Sequence, residues 1–385
     1  MDILTLNKIS KIGLKEFDSN YNILEECENP DGIIVRSASM HEYNFSEKTV
    51  AVARAGAGVN NIPVPSCTEK GVVVFNTPGA NANAVKELVV CGLMVSSRKV
   101  MAAFDWCKGL KGEGENVGKL VEKGKSQFAG PEIFGKTLGL IGLGAIGRLV
   151  ADSAIALGMK VIGFDAFLSD EAKSLLNSNV ELVGSADEIY ENADYISLHI
   201  PATAETKGSI NEGTIAKMKD GVRILNFARG ELVNSADLLK ALENGKVSCY
   251  VTDFPTDDVI GVENVVALPH LGASTPESEE NCAYMAAVQM KEFLEKGNIK
   301  NSVNFPDVSV EADGERLAVI HKVSLNITND ILGAFTSNGV EIKAFASKSK
   351  GDFAYTLLVS DSITDTIVNK VKAISDVVKV RKISN

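Results

Sequence analysis

The sequence predicts an α/β chain in three parts: two doubly wound parallel sheets, then a C-terminal module of βαββαβ order. Three observations carry this expectation. Short apolar runs alternate with helical stretches through most of the chain, which is the pattern of repeated βα units. The turn Gly142-Leu143-Gly144-Ala145-Ile146-Gly147 follows an apolar strand and opens a helix. After the polar stretch Asn301 to Gly314 the order of elements changes, with strands now following one another.

In chain order, the first sheet is expected to use strands at Asp2 to Leu6, Gly32 to Val35, Val50 to Ala53 and Val72 to Phe75. Ala82 to Cys107 reads as one long helix or a broken pair. Lys108 to Gly130 is rich in glycine and lysine, with little apolar pattern, and reads as a surface excursion. The second sheet starts with the strand Thr137 to Gly142, a helix from Ala145 to Leu157 and a strand from Lys160 to Asp165. It continues with strands Tyr195 to Ile200, Val222 to Phe227 and Val247 to Asp253. Pro276 to Lys296 reads as a long helix that returns to the first part. The last module is read as strand Arg316 to Val323, a helix near Asn329 to Ser337, strands Val340 to Ser347 and Phe353 to Ser360, helix Ile363 to Ile374 and strand Val377 to Ile383. The expected division is residues 1–94 with 274–306, residues 95–273, and residues 315–385.

Composition narrows the class. The chain has 385 residues, 45% of them hydrophobic, which suffices for more than one core. No apolar run approaches the roughly 20 residues that span a bilayer. The start, Met1-Asp2-Ile3-Leu4-Thr5, does not read as a signal peptide. Six scattered cysteines without a C-x-x-C pair read as free thiols, so a cytoplasmic protein is expected. A formal net charge of −11 argues against nucleic acid and anionic membranes as partners. It also requires that any anionic substrate meet locally gathered positive charge.

The glycine turn is weak evidence by itself, but here strand and helix flank it. Gly142 makes the tight turn, Gly144 lets the backbone approach a pyrophosphate, and Gly147 allows helix and strand to pack closely. Ala145 and Ile146 open the helix, whose free N–H groups and partial positive charge suit phosphates. Asp165 ends the next strand, 165 − 147 = 18 residues past the last glycine. An acid there accepts hydrogen bonds from ribose hydroxyls and repels an added phosphate, so NAD is expected over NADP.

Three strand ends carry the chemistry. Arg229 follows Leu225-Asn226-Phe227-Ala228; Asp257 and Asp258 follow Asp253-Phe254-Pro255-Thr256; His270 lies in Leu268-Pro269-His270-Leu271-Gly272-Ala273-Ser274-Thr275. Oxidising a 2-hydroxy acid moves a hydride and a proton. Histidine is the natural base near neutral pH, and a carboxylate on its other nitrogen fixes the tautomer. An arginine fork binds the substrate carboxylate. Taken singly, each residue is more often a surface ion pair, a structural histidine or a solvated turn; together, downstream of a nucleotide turn, they point to catalysis.

At these residues the chain resembles the D-isomer-specific 2-hydroxyacid dehydrogenases, and within them the members that end in a small ACT domain. The stretches are Val35-Arg36-Ser37, Arg54-Ala55-Gly56-Ala57-Gly58-Val59-Asn60-Asn61-Ile62, Phe75-Asn76-Thr77-Pro78, the glycine turn, Ala228-Arg229-Gly230 and Pro269 to Thr275. The resemblance implies a flavodoxin-like substrate domain, a Rossmann NAD domain and a ferredoxin-like ACT module. It implies a triad of Arg229, an acid and His270, with Asp258 at the acid's position and Asp257 as the alternative. Asp258 is one methylene shorter than the family's usual glutamate. It implies cofactor contacts at Ile200, Pro201, Phe227, Ala228, Asp253, Gly272 and Ala273, beside Arg229 and His270. It implies substrate contacts at Arg36, Ser37, Arg54, Gly56, Ala57 and Gly58, with Arg36 and Arg54 on a phosphate.

The implied reaction is oxidation of 3-phosphoglycerate to 3-phosphooxypyruvate for serine synthesis, by a homodimer or homotetramer that serine inhibits at the ACT module. Thr328, in Asn326 to Asp330, departs from the family's usual proline there. The competing readings are a reductase of hydroxypyruvate, glyoxylate or D-lactate, and a non-catalytic NAD-sensing corepressor. Arg229 and His270 count against the corepressor, since a sensor needs no general base.

Overall fold

The computed structural model describes residues 1–384; Asn385, the last residue of the expected third part, lies outside the described residues. The strands are β1 (Asp2–Leu6), β2 (Asn22–Leu24), β3 (Gly32–Val35), β4 (Ala51–Arg54) and β5 (Val73–Phe75), then β6 (Thr137–Ile141), β7 (Lys160–Phe164), β8 (Val180–Leu182), β9 (Tyr195–Leu198), β10 (Val222–Asn226), β11 (Val247–Thr252) and β12 (Val265–Ala267). The C-terminal strands are β13 (Glu315–Lys322), β14 (Ala344–Lys350), β15 (Phe353–Ser360) and β16 (Val377–Ile383).

They form three sheets. The first is parallel, in the order β2-β1-β3-β4-β5. The second is also parallel, in the order β12-β11-β10-β9-β6-β7-β8. Its order reverses between β6 and β9, the switch point at which open α/β sheets bind ligands. The third is antiparallel, β14-β15-β13-β16.

The chain divides into two compact units: residues 1–81 with the described residues from Pro276 onward, and residues 82–275. The expected boundary at 94/95 differs from this division. In the structure the helix Ala82–Ser97 contributes Val85, Val89 and Leu93 to the core that holds Leu138, Leu140 and Leu225 of the second sheet.

Local chemistry explains the elements. In β3, Gly32-Ile33-Ile34-Val35 is buried throughout, as expected for a parallel strand covered on both faces. The helix Pro276–Lys296 starts on proline with Glu277 and Glu279 in its first turn, which suits the N-terminal end of the dipole.

Several expectations change. The stretch 82–107 is a broken pair, Ala82–Ser97 and Val100–Lys108, interrupted at Lys99 with φ 41°. The segment 108–130 lies on the surface as expected, with local structure that was not foreseen. It holds the helix Val117–Gly124 between two 3₁₀ turns, and Phe128 returns against Trp106 at 5.5 Å. Val117, Leu120 and Val121 supply the i, i+3, i+4 stripe that lysines and glycines obscured. Strand β14 begins at Ala344 rather than Val340, because Val340 and Ile342 pack into the module's own core before pairing starts. The short edge strands β2, β8 and β12 were not foreseen. All six cysteines are free, and no helix among the described residues is long and apolar enough to cross a membrane.

Candidate active site

The glycine turn has the geometry its spacing implies. Gly142 has φ 98°, and a Cβ there would lie 2.5 Å from the carbonyl oxygen of His199. A Cβ on Gly147 would lie 2.1 Å from the carbonyl oxygen of Gly142, so this helix can pack on this strand only with glycine. At Gly144 the same construction meets open space. Gly144 is the N-cap of the helix Ala145–Ala156 and offers no side chain to the first N–H groups. Uncapped backbone donors at the start of a helix of this length could hold a phosphate, as a cradle.

Asp165 ties the cradle to the next strand. Its Oδ2 accepts from the Leu143 amide at 2.8 Å and its Oδ1 from the Phe167 amide at 2.9 Å. Each oxygen keeps a further lone pair for a ribose hydroxyl.

His199 lies beside the glycine turn, just before the expected cofactor contacts Ile200 and Pro201, and has no role assigned from the sequence. It follows β9, whose neighbour β6 leads into the glycine turn, and its Cδ2 would stand 3.7 Å from a Cβ on Gly147. Its Nε2 shares a hydrogen bond with Ser197 Oγ at 2.9 Å. Burial pushes this imidazole down to about 4, so it is neutral at neutral pH. The signal available in the sequence was its place just past a strand at the switch point.

Arg229 and His270 come together on one aromatic ring. The Arg229 guanidinium lies 5.9 Å from the Phe254 ring centroid, and the His270 ring stands 4.5 Å from it. Buried Asn226 shapes the turn that presents the arginine. Its Oδ1 accepts from the amides of Ala228 and Arg229 at 3.2 and 3.3 Å, and its Nδ2 donates to the Arg229 carbonyl at 2.8 Å. Asp253 fastens the histidine turn. It is 1% exposed, and its Oδ2 accepts from the Gly272 amide at 2.8 Å. Its Oδ1 has no hydrogen-bond partner, and desolvation holds its carboxyl above the usual carboxylate range.

Asp258 is exposed and bound elsewhere. Its Oδ1 accepts from Thr256 Oγ1, and this bond holds its carboxyl below the usual range. Among the described residues no hydrogen bond joins Asp257 or Asp258 to His270.

The other unit carries the second cluster. Arg36 follows β3 and Arg54 ends β4, the two strands being paired with Val35 opposite Arg54. Arg54 Nε donates to the Arg36 carbonyl at 3.2 Å. Gly56 has φ 153°, and a Cβ on it would lie 2.0 Å from Arg54 Nη1, so the arginine folds over a glycine. Asn61 Nδ2 donates to the Ala38 carbonyl at 2.7 Å and Asn76 Nδ2 to the Ala57 carbonyl at 2.7 Å, which fixes the Gly56–Gly58 loop. Ser37 is exposed, its amide on Asn7 Oδ1 at 3.1 Å. Arg36 Nη1 pairs with Glu279 Oε1 at 2.6 Å, a counter-charge that sequence reading did not locate because Glu279 arrives from a distant helix. Among the described residues no group of His, Cys, Asp and Glu is arranged to hold a metal ion.

Comparison with known proteins identifies the family. Residues 94–272 match the family model described as D-isomer specific 2-hydroxyacid dehydrogenase, NAD binding domain. The chain is 34% identical over 322 residues to a D-3-phosphoglycerate dehydrogenase of Methanocaldococcus jannaschii, covering 81% of this chain and 59% of the relative. The chain thus spans little more than half the length of the curated relatives it matches. A solved NAD+-bound 3-phosphoglycerate dehydrogenase of Entamoeba histolytica is 30% identical with a TM-score of 0.61, covering 79% of this chain and 98% of that one. A glyoxylate reductase from Paecilomyes thermophila is 25% identical with a TM-score of 0.65, covering 79% and 98%.

Proposed function

The chain belongs to the D-isomer-specific 2-hydroxyacid dehydrogenases, an NAD-dependent oxidoreductase family, and from that premise we propose that it oxidises 3-phosphoglycerate to 3-phosphooxypyruvate, the first step of serine synthesis. The observation that carries the reading is the meeting of Arg229 and His270 on the Phe254 ring, inside the matched NAD-binding segment.

The residues fit the cofactor: the open backbone at Gly144, the tight approach at Gly147 and the acid at Asp165 suit a dinucleotide's phosphates and ribose. When bound, the nicotinamide supplies the hydride acceptor. Gly142, Gly144, Ala145, Ile146 and Gly147 hold its phosphates, with Ile200 and Pro201 beside them. Phe227, Ala228, Asp253, Gly272 and Ala273 line its far end. Arg229 binds the substrate carboxylate with its planar fork and stabilises charge on the reacting oxygen. His270 takes the hydroxyl proton. Asp258 orients the imidazole after leaving Thr256 Oγ1. Arg36 and Arg54, with Ser37, Gly56, Ala57 and Gly58, receive the phosphate.

In this reading residues 1–81 with 276–306 form the substrate domain, residues 82–275 the NAD domain and residues 315–385 an ACT module. That module serves assembly into a homodimer or homotetramer and is the place for a serine effector. Absence of inhibition by serine would leave it the assembly role alone.

Replacing His270 with Asn is expected to lower turnover by about 10²–10⁴-fold, the worth of a general base. Unchanged turnover would remove the histidine from the reaction. The substrate is tested by NADH absorbance with 3-phosphoglycerate, D-glycerate and D-lactate side by side. A second reading, reduction of an unphosphorylated 2-keto acid such as glyoxylate, is favoured by the Arg36–Glu279 pair, which offsets positive charge at the phosphate end. Equal activity on phosphorylated and unphosphorylated substrates would select that second reading.

A further inference from the structure

A second gathering of positive charge lies away from both clusters. It is a cavity of about 480 Å³ between the first parallel sheet's layer and the C-terminal module. Lys70, Lys372 and Lys379 line it, with Ser46 and the ring of Phe45; Glu47 is the one acid among its lining residues. Three cations against one carboxylate leave a net charge of about +2 in a chain whose formal charge is −11.

The three lysines come from separate elements. Lys70 is the C-cap of the helix Val64–Glu69, Lys372 ends the helix Asp365–Lys372 and Lys379 lies on β16. The Lys70 ammonium stands 5.8 Å from the Phe45 ring centroid. Among the described residues neither Lys70 nor Lys372 has a carboxylate within ion-pair distance. Lys379 is the fixed member. Its Nζ donates to the Thr49 carbonyl at 2.7 Å, which leaves two donors for another acceptor. Arg381, two residues along the same strand, is turned to the carbonyls of Phe293 and Leu294 and adds its charge nearby. Burial and that neighbour push Lys379 down to about 8. The fold thus holds a desolvated cation at the cavity wall among like charges, an arrangement that an incoming anion stabilises.

We propose that this cavity is a binding site for a small multivalent anion, a phosphate- or carboxylate-bearing metabolite, that bridges the first sheet's layer to the C-terminal module. The volume lies within the range of small-molecule sites. Lys70 and Ser46 belong to one side of the seam, Lys372 and Lys379 to the other, so a bound anion links the two.

The test uses the full chain, with inorganic phosphate and citrate as probes in separate calorimetric titrations. Lys70→Glu combined with Lys372→Glu changes only exposed side chains, and an unaltered circular-dichroism spectrum and thermal midpoint verify that the variant is folded. Wild type is expected to bind at least one probe saturably, and the double variant to bind it about tenfold more weakly or worse, because reversed charges now face the anion. Binding of phosphate alone or of citrate alone would support the site and name its preferred anion. Equal affinity in wild type and double variant would overturn the proposal. So would loss of all probe binding on replacing Arg54 with Ala, since the anion would then sit on the other cluster.

Discussion

At the scale of single residues, two charges set conditions that composition could not reveal. Glu279 holds Arg36 through a 2.6 Å ion pair whose members are 32% and 43% exposed. In the proposed reaction a substrate phosphate has to compete with that carboxylate. Glu279→Gln is therefore expected to lower the KM for 3-phosphoglycerate by about two- to fivefold, the worth of a half-exposed pair, and to leave the KM for D-glycerate unchanged. An equal shift for both substrates would mean that Arg36 does not discriminate the phosphate. His199 acts through protonation. Its folded value, about 4, lies below its ordinary 6.5, so the unfolded chain binds the extra proton in that window. The stability it contributes is complete above pH 6.5 and declines as the pH falls toward 4. Urea midpoints measured across that range should fall less steeply in His199→Gln than in wild type; parallel slopes would assign the acid sensitivity elsewhere. The acid proposed for the triad shows how far residue types reach. That Arg229 and His270 come together on Phe254 was legible because each follows a strand of an open sheet, where ligands gather. Asp258 is an acid at the expected spacing, yet its hydrogen bond to Thr256 is a matter of rotamer, which no spacing encodes.

At the scale of elements, the glycine turn is where sequence and structure meet most closely. A Cβ at position 147 meets backbone rather than a movable side chain, at 2.1 Å. Gly147→Ala must displace the helix Ala145–Ala156 from the strand, and the phosphate cradle with it. Overpacking of this kind costs ~1–3 kcal/mol, so NADH affinity read by fluorescence titration is expected to fall about tenfold or more; wild-type affinity would show that the helix start can move without loss. Long buried strands and the helix Pro276–Lys296 were readable because burial imposes a pattern over many residues. The strands β2, β8 and β12 have three residues each, too few for any period to register. The helix Val117–Gly124 was missed for a different reason. None of its residues is buried, so its apolar stripe had to be found among lysines and glycines with no core to mark it.

At the scale of the whole molecule, the third part reads in sequence as a separate small domain, yet it shares a core with the first. Ala318, Ile320, Tyr355, Leu357, Val359 and Ile383 of its sheet belong to the same buried cluster as Ile3, Ile34, Phe75 and Phe293. The polar contacts run the same way. The helix Pro276–Lys296 ends with carbonyls that its own backbone cannot satisfy. Arg381 donates to Phe293 and Leu294, Arg316 to Lys296 at 3.0 Å, and Tyr355 to the Gly297 carbonyl at 2.6 Å. These side chains cap one part's helix from another part's sheet, with cations at the negative end of the dipole. Arg381→Met keeps most of the side chain's volume but takes from the Leu294 carbonyl its donor, at ~1–3 kcal/mol for an unsatisfied group, while the Phe293 carbonyl keeps the Gly297 amide at 2.9 Å. In thermal unfolding the variant is expected to lose roughly 5 °C or more from the transition of the whole unit. It should not produce a new early transition confined to the last module. Two resolved transitions, with the first part's midpoint unmoved, would mean that the module stands alone and that the shared core contributes little to either side. A single lowered transition would mean that the seam around Arg381 and Lys379 transmits stability between the two sheets, so that an anion bound there acts on both.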